Sequence, residues 1–141
     1  MNTLELARKI AETEDVSTPA NSVVLYSISY QPTDVNKRAA LQYIAEHAGC
    51  YTLDDTVCGK KLMAMGLETD HNNPAIELMK IWAIASKRFI AAASGNVTAF
   101  VTDADKRSTF VAVELPLILQ NDKISLINGT DKFEFAKQFM Q

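Results

Sequence analysis

Apolar positions recur along this chain with two different spacings, and the alternation of those spacings predicts helices and strands in turn. Near the amino terminus, Leu4, Ala7 and Ile10 stand three residues apart. That spacing is typical of an amphipathic helix, here with Asn2 or Thr3 as its cap.

A run of β-branched and aromatic residues at 23–28 predicts the first strand, of the kind that is buried in a parallel sheet. The helix that follows opens at Pro32 or Asp34, and Gly49 closes it as a left-handed cap. We expect its apolar face to contain Leu41, Ile44, Ala45 and Ala48. Residues 51–61 show little periodicity, which fits a loop or a short helix.

The longest helix is predicted to start at Asn73 and Pro74, because asparagine caps helices and proline is tolerated in the first turn. It ends before Gly95. Its apolar stripe consists of Leu78, Ile81, Trp82, Ala85, Phe89 and Ala92. Further strands are predicted at residues 97–101, 109–113 and 124–127.

Pro116 argues against a central strand at residues 115–121 and favours a short helix or turn there. A closing helix is predicted at residues 131–140. Strands that alternate with helices indicate an α/β fold. We therefore expect a single domain over residues 1–141, with a small, mostly parallel sheet of about four strands and an N-terminal helical part.

The composition is that of a globular chain, and it excludes some classes of function. The length of 141 residues, 48% of them apolar, fits one hydrophobic core. A formal net charge of −3 argues against general nucleic-acid binding, which usually needs a basic surplus. No apolar run approaches the roughly 18–20 residues that span a bilayer. Residues 1–15 lack the apolar centre of a secretory signal, so export would need another route, such as being one segment of a larger secreted chain.

Every histidine and cysteine lies in one window, at His47, Cys50, Cys58 and His71. Two thiolates and two imidazoles match the ligands of tetrahedral zinc. The spacing contains no Cys-x2-Cys pair, however, and chance clustering explains it more simply. We expect no metal site, and two cysteines could form one disulfide at most.

Glu114 stands inside an apolar run, residues 110–119, where an ionised carboxylate is costly unless something pairs with it. In an extended strand, Phe110, Ala112 and Glu114 would share one face. The alternative is a glutamate that faces solvent at a strand end.

Three other positions carry candidate binding groups. Trp82 and Ser86 lie one helical turn apart, so they project from one face, either as a ligand platform or as core packing. Tyr26 and Ser27 end the first strand, where ligand sites of open α/β sheets collect, although a half-buried aromatic would look the same. Asp54, beside Asp55, could bind a metal or a ribose, or could simply be solvated.

Four short sequence segments, taken in their order along the chain, resemble the ADP-ribosyl cyclase and NAD glycohydrolase family. The family pattern contains an aromatic-Ser pair, Thr-Leu-(Glu or Asp)-x-Thr followed by Gly, Trp-x3-Ser-x2-Phe, and Ser-Thr-Phe-x3-Glu. The matching residues here are Tyr26-Ser27, Thr52 to Thr56 with Gly59, Trp82 to Phe89, and Ser108 to Glu114. The first aromatic is often Trp and is Tyr26 here, and the loop acid is usually Glu and is Asp54 here.

This resemblance implies an enzyme that cleaves the nicotinamide–ribose bond of NAD+, its substrate, without a metal or cofactor. Glu114 would be the catalytic carboxylate that stabilises the ribosyl cation, and Trp82 would stack on the pyridinium. Ser27, Ser86 and Thr109 would bind phosphates or ribose. Tyr26 and Phe110 would contribute to the pocket, and Asp54 would hold the carboxamide or steer the product.

The compact form, without the disulfide framework of animal ectoenzymes, resembles the bacterial toxin-domain members of this family. That resemblance implies delivery within a larger effector, action in the cytoplasm of a target cell, and a cognate immunity protein. Two alternatives stay open: cyclisation to cyclic ADP-ribose, and a non-catalytic interaction module that could be stabilised by zinc.

Overall fold

The computed structural model describes residues 2–27, 35–66, 75–102, 104 and 110–139. Its helices are α1 (Thr3–Thr13), α2 (Val35–Glu46), α3 (Val57–Ala64), α4 (Ala75–Ala92), α5 (Leu115–Gln120) and α6 (Lys132–Ala136). Its strands are β1 (Val24–Tyr26), β2 (Gly95–Phe100), β3 (Ile124–Ile127) and β4 (Thr130–Asp131). Two 3₁₀ turns, Leu53–Asp55 and Lys137–Phe139, and a π-helical turn, Phe110–Glu114, complete the described elements.

The four strands form one sheet in the order β1-β2-β3-β4. The first two pairs are parallel, and β3 and β4 are antiparallel. This confirms the predicted α/β fold with a small, mostly parallel sheet. β3 and β4 are joined at Asn128 and Gly129, whose φ angles of 54° and 75° are those that a tight two-residue hairpin requires.

The sheet separates two layers of helices. Successive side chains on a strand point to opposite faces, and Leu25 and Ala99 face the main core that α1 and α4 cover. Tyr26 and Phe100 are register partners and face the other layer. There Tyr43 of α2 packs against Phe100, with ring centroids 5.7 Å apart.

α1 and α4 form as the periodicity predicts. Asn2 caps α1 by accepting a hydrogen bond from Glu5 N at 2.8 Å. The guanidinium of Arg88 on α4 donates to the carbonyls of Ala11 and Glu14 at 2.6 and 2.8 Å, and so satisfies the carboxyl end of α1. The predicted start of α4 at residues 73–74 lies outside the described residues.

The predicted strand at residues 109–113 is wrong. Phe110–Glu114 is a π-helical turn that runs directly into α5, and the fourth strand is Thr130–Asp131 instead. A short apolar run does not distinguish a buried strand from a buried helix, because neither shows a polar face. Pro116 lies in the first turn of α5, where proline is tolerated.

The face predicted for α2 is also wrong. Leu41 is 52% exposed, whereas Asn36 and Ala40 are buried against the sheet. Among the described residues, α2 contacts the sheet along a narrow stripe that contains Asn36 and Ala40. Gly49 does take the left-handed conformation predicted after this helix, with a φ of 87°.

In the part of the chain that the structure describes, we find no helix with the length and apolar character that crossing a membrane requires.

Candidate active site

The carboxyl ends of β1 and β2 lie at one edge of the sheet because the two strands are parallel. Ser27 follows β1 directly, is 3% exposed, and donates from its backbone N to Phe100 O at 2.9 Å. Tyr51 runs parallel to the start of β1 and accepts from Val24 N at 2.9 Å. Residues 52–55, which follow Tyr51 and include Asp54, therefore continue toward the same edge of the sheet.

Glu114 is buried and hydrogen-bonded. The π-helical turn carries its carboxyl group toward α4, where the Ser86 hydroxyl donates to it. Burial raises the pKa of Glu114 to about 7, and the Ser86 hydrogen bond opposes that rise. The structure thus brings together two of the residues that the sequence singled out, and Glu114 does not face bulk solvent.

Trp82 lies one turn before Ser86 on the same face of α4. Its ring is partly buried against the core and partly accessible. Trp82 and Ser86 are four residues apart on α4, so their side chains project from neighbouring turns of one helix face. The indole of Trp82 therefore lies one helical turn from the Ser86 hydroxyl that donates to Glu114.

Asp54 and Asp55 have different tasks. The carboxylate of Asp55 accepts from Thr52 N and Thr52 Oγ1, both at 2.9 Å, and so caps the 3₁₀ turn. Asp54 is not part of that cap. Its pKa is raised by burial, Lys37 opposes the rise, and the nearby Asp55 charge adds to it.

Gly59 fixes the place of the turn that carries Asp54. Thr56 caps α3 by accepting from Gly59 N at 3.0 Å, and its hydroxyl donates to Leu53 O at 2.6 Å. A Cβ at Gly59 would collide with the Leu53 carbonyl and would lie 2.7 Å from the Asp54 Cα. Only glycine allows this close approach of α3 to the turn.

The remaining predicted site residues are Phe110, Tyr26 and Thr109. Phe110 is fully buried, with its ring 6.5 Å from Phe135 and 6.1 Å from Phe139, so its described contacts are with the core. Tyr26 is half-buried and lies on the strand position that faces the α2 layer. Thr109 lies outside the described residues.

The histidines and cysteines form no metal site among the residues that the structure describes; His71 is not one of them. Both cysteines are free. Cys58 is buried, its thiol donates to Ile10 O at 3.4 Å, and burial raises its pKa. It is a core thiol and not an activated nucleophile.

One residue that the sequence patterns did not reveal lies beside this edge. Asn36 is 2% exposed and makes two hydrogen bonds with the backbone of Thr102, just beyond β2. The only sequence signal is an asparagine inside a helix, where it is a poor helix former and usually needs a specific partner.

Two surface grooves, of about 440 and 420 Å³, lie elsewhere. The first lies between α4 and α5 beside Lys87 and Asn121, and the second is an apolar groove between α5 and α6 beside Phe133. Glu114, Trp82 and Asp54 line neither of them.

Neither protein-family models nor curated proteins give a match to this chain. Among solved structures, it is similar to porcine CD38 complexed with a covalent intermediate, ribo-F-ribose-5'-phosphate, with 23% identity and a TM-score of 0.59. That match covers 88% of this chain and 66% of the porcine chain. The chain is also similar to Aplysia cyclase complexed with substrate NGD and product cGDPR, with 22% identity and a TM-score of 0.55, over 77% of this chain and 48% of that one.

This chain spans about two thirds of the porcine protein and about half of the Aplysia protein. The α/β core, the mostly parallel four-strand sheet and both matches agree on one architecture: the chain has the ADP-ribosyl cyclase fold.

Proposed function

We propose that this protein is an NAD+ glycohydrolase, which hydrolyses the nicotinamide–ribose bond to give nicotinamide and ADP-ribose. The observation that carries this proposal is the buried carboxyl group of Glu114, hydrogen-bonded by Ser86 on the helix that presents Trp82. The solved structures of the same fold contain ribosyl and dinucleotide ligands, which supports a substrate of that class.

In this mechanism the bond from ribose C1′ to nicotinamide breaks, and its electron pair leaves with nicotinamide, which becomes neutral. The ribosyl group is left with an oxocarbenium-like positive charge. The carboxylate of Glu114 stabilises that charge at short range in a site of low polarity. Water then attacks C1′ and loses a proton, and ADP-ribose results.

Trp82 has a part in binding the substrate. The exposed portion of its ring offers a flat face to the pyridinium, an attraction of roughly 0.5–2 kcal/mol. Ser27 and Ser86 supply hydroxyl groups for the ribose or phosphates, and Tyr26, Thr109 and Phe110 are proposed as further contacts.

The raised pKa of Glu114 fits this role. In the free protein its pKa of about 7 means that the carboxyl group is partly protonated at neutral pH. A cationic pyridinium nearby favours the ionised form, so substrate binding would expel the proton and generate the anion where it is needed. Catalysis then depends on interactions that are strongest in the transition state.

The test is the release of nicotinamide from NAD+ by the purified protein and by Glu114→Gln. We expect Glu114→Gln to bind NAD+ and to lose most turnover. Glu134→Gln is the matched control, because Glu134 is exposed on α6 and pairs with Lys137 at 2.8 Å, away from the site. A wild-type protein that releases no nicotinamide, or a Glu114→Gln variant as active as Glu134→Gln, would overturn the proposal.

Cyclisation to cyclic ADP-ribose is the second candidate, since one similar structure is a cyclase that holds a cyclic product. The choice depends on whether water or the adenine ring traps the ribosyl cation. Asp54, with its partly buried carboxyl group, is the residue proposed to steer this choice. Chromatography of the products distinguishes the two activities, and the absence of both would favour a non-catalytic interaction module.

The resemblance to toxin domains leads to a proposed setting for this activity: delivery as part of a larger effector into the cytoplasm of a target cell, with a cognate immunity protein as partner. The free thiols of Cys50 and Cys58 are compatible with a reducing compartment. Expression in a bacterial cytoplasm should arrest growth, and Glu114→Gln should relieve the arrest. Normal growth with active protein present would contradict this setting.

A further inference from the structure

Asn36 joins two elements at the carboxyl edge of the sheet. It lies in the first turn of α2 and is 2% exposed. Its Nδ2 donates to Thr102 O at 2.9 Å, and Thr102 N donates to its Oδ1 at 2.9 Å. Both backbone groups of Thr102 are therefore satisfied by one side chain.

A primary amide side chain is suited to this pair of bonds, because it carries a donor nitrogen and an acceptor oxygen on the same carbon. Asparagine has low helix propensity, so its place inside α2 costs stability unless these bonds offset that cost. A buried amide that lost them would leave polar groups unsatisfied.

The bonds lie close to the proposed substrate-binding residues. Thr102 is two residues beyond Phe100, the residue whose carbonyl accepts from Ser27 N. The end of β2 thus holds both Ser27, where β1 ends, and Asn36, where α2 begins. These two contacts fix β1 and α2 on one short segment, residues 100–102, at the end of β2 and just beyond it.

The residue after Asn36 extends this relation to Asp54. Burial raises the pKa of Asp54, and the charge of Lys37, in the same turn of α2, opposes that rise. The first turn of α2 is therefore anchored two residues from the carbonyl that holds Ser27, and it carries the lysine whose charge acts on Asp54.

We propose that Asn36 is a positioning residue for NAD+ binding: by holding the start of α2 to Thr102, it keeps Ser27 and Asp54 in their places at the substrate edge. This inference rests on the proposed function. It assigns a task to a side chain that does not itself reach the reacting bond.

The test compares Asn36→Ala with Asn121→Ala in steady-state NAD+ cleavage. Asn121 is a matched control: its Nδ2 donates to Ile90 O at 2.9 Å, and its Oδ1 accepts from Lys123 N at 2.9 Å, but it lies where β2 and β3 begin, at the opposite edge. Both variants lose amide-to-backbone bonds, so both should unfold at lower urea concentration than the wild type.

We expect KM for NAD+ to rise about tenfold or more in Asn36→Ala and to stay within about twofold of wild type in Asn121→Ala, since small displacements of binding groups are costly. KM is the informative quantity, because a loss of folded protein lowers the maximal rate and leaves KM unchanged. An unchanged KM in Asn36→Ala would refute the positioning role, even if that variant is less stable.

A second variant and a binding measurement keep the test decisive. Asn36→Ser keeps a short polar side chain without introducing a buried charge and serves if the alanine variant does not fold. Calorimetry of NAD+ binding in the Glu114→Gln background, with and without the Asn36 change, should show that the change weakens NAD+ binding.

Two outcomes distinguish the positioning role from the proposed reaction. If the wild type releases no nicotinamide yet binds NAD+ in an Asn36-dependent manner, the proposed reaction fails while the positioning role stands. If the Asn36 change alters neither KM nor binding, the positioning role fails.

Discussion

Glu114 is the residue on which the proposed chemistry depends, and its ionisation should be visible in the kinetics. The carboxylate is the reactive form, so kcat/KM should rise with pH and level off above the pKa of about 7 in the free protein. The Ser86 hydrogen bond favours the carboxylate, so Ser86→Ala should move the midpoint of the profile to higher pH. Ser125→Ala, a change at an exposed position on β3, is the control and should leave the midpoint in place. A profile that is flat between pH 5 and 9 would remove Glu114 from this role.

The same residue should make the folded state sensitive to pH. Its pKa rises from an ordinary value of 4.5 to about 7 on folding, so the folded protein holds this proton more tightly than the unfolded chain does. The free energy of unfolding should therefore fall as pH rises from about 4.5 to about 7, and this contribution should be constant at higher pH.

The glutamine in Glu114→Gln does not titrate, so the free energy of unfolding of this variant should not fall through this effect as pH rises. At pH 8 the variant should be more stable than the wild type, by up to about 3 kcal/mol, and at pH 4 the difference should be small. Urea unfolding at the two pH values measures this double difference. Equal effects of the substitution at both pH values would mean that the carboxyl group is not buried as described.

At the scale of elements, the packing of α3 against the 3₁₀ turn should be intolerant of a single methyl group. Gly59→Ala forces the turn at Leu53–Asp55 away, and we expect it to lower the free energy of unfolding by about 1–3 kcal/mol. The displaced Asp54 should also alter KM for NAD+ or the ratio of linear to cyclic product.

Gly66→Ala is the control for this test, because it distinguishes the effect of a steric clash from the effect of backbone strain. Gly66 has a φ of 60°, and no atom of the described residues lies within 4 Å of the position that a methyl group would take there. An alanine at this position therefore meets only the left-handed penalty of about 1–2 kcal/mol. It should leave KM and products unchanged. If Gly59→Ala behaves in the same way as Gly66→Ala, the close approach does not position Asp54.

The sequence predicts best those elements whose buried positions can be identified from the spacing of their own apolar residues. α1 and α4 each show a regular apolar spacing, and each was found near its predicted bounds. The run at 109–113 has no polar face from which a period could be read, so strand and helix could not be told apart. The buried face of α2 depends on the angle at which the helix crosses the sheet. The residue spacing within α2 does not determine that angle.

The candidate site divides in a similar manner. Glu114 could be selected because a carboxyl group is unusual in an apolar run, and Ser86 because it lies one helical turn from Trp82. The bonds between Asn36 and Thr102 join residues 66 positions apart, and no local pattern predicts such a pair. Long-range polar pairs of this kind follow from the tertiary structure alone.

At the scale of the whole molecule, the fold does not depend on a disulfide. Cys50 and Cys58 are free, and Cys58 is held inside the core by packing. We therefore expect excess dithiothreitol to leave both the thermal unfolding midpoint and the rate of NAD+ cleavage unchanged. A clear drop in either on reduction would show that a covalent link between the two thiols stabilises the active protein.

The π-helical turn at Phe110–Glu114 has a further consequence. A turn of this kind holds one residue more than a regular helix would, and such irregular windings recur where a helix delivers a functional group. Shortening it by one residue would let the chain wind evenly into α5 and would rotate Glu114 by about 100° about the axis, away from Ser86. Under the proposed function, the orientation that Glu114 needs and the most regular helical winding are therefore in conflict within the same five residues.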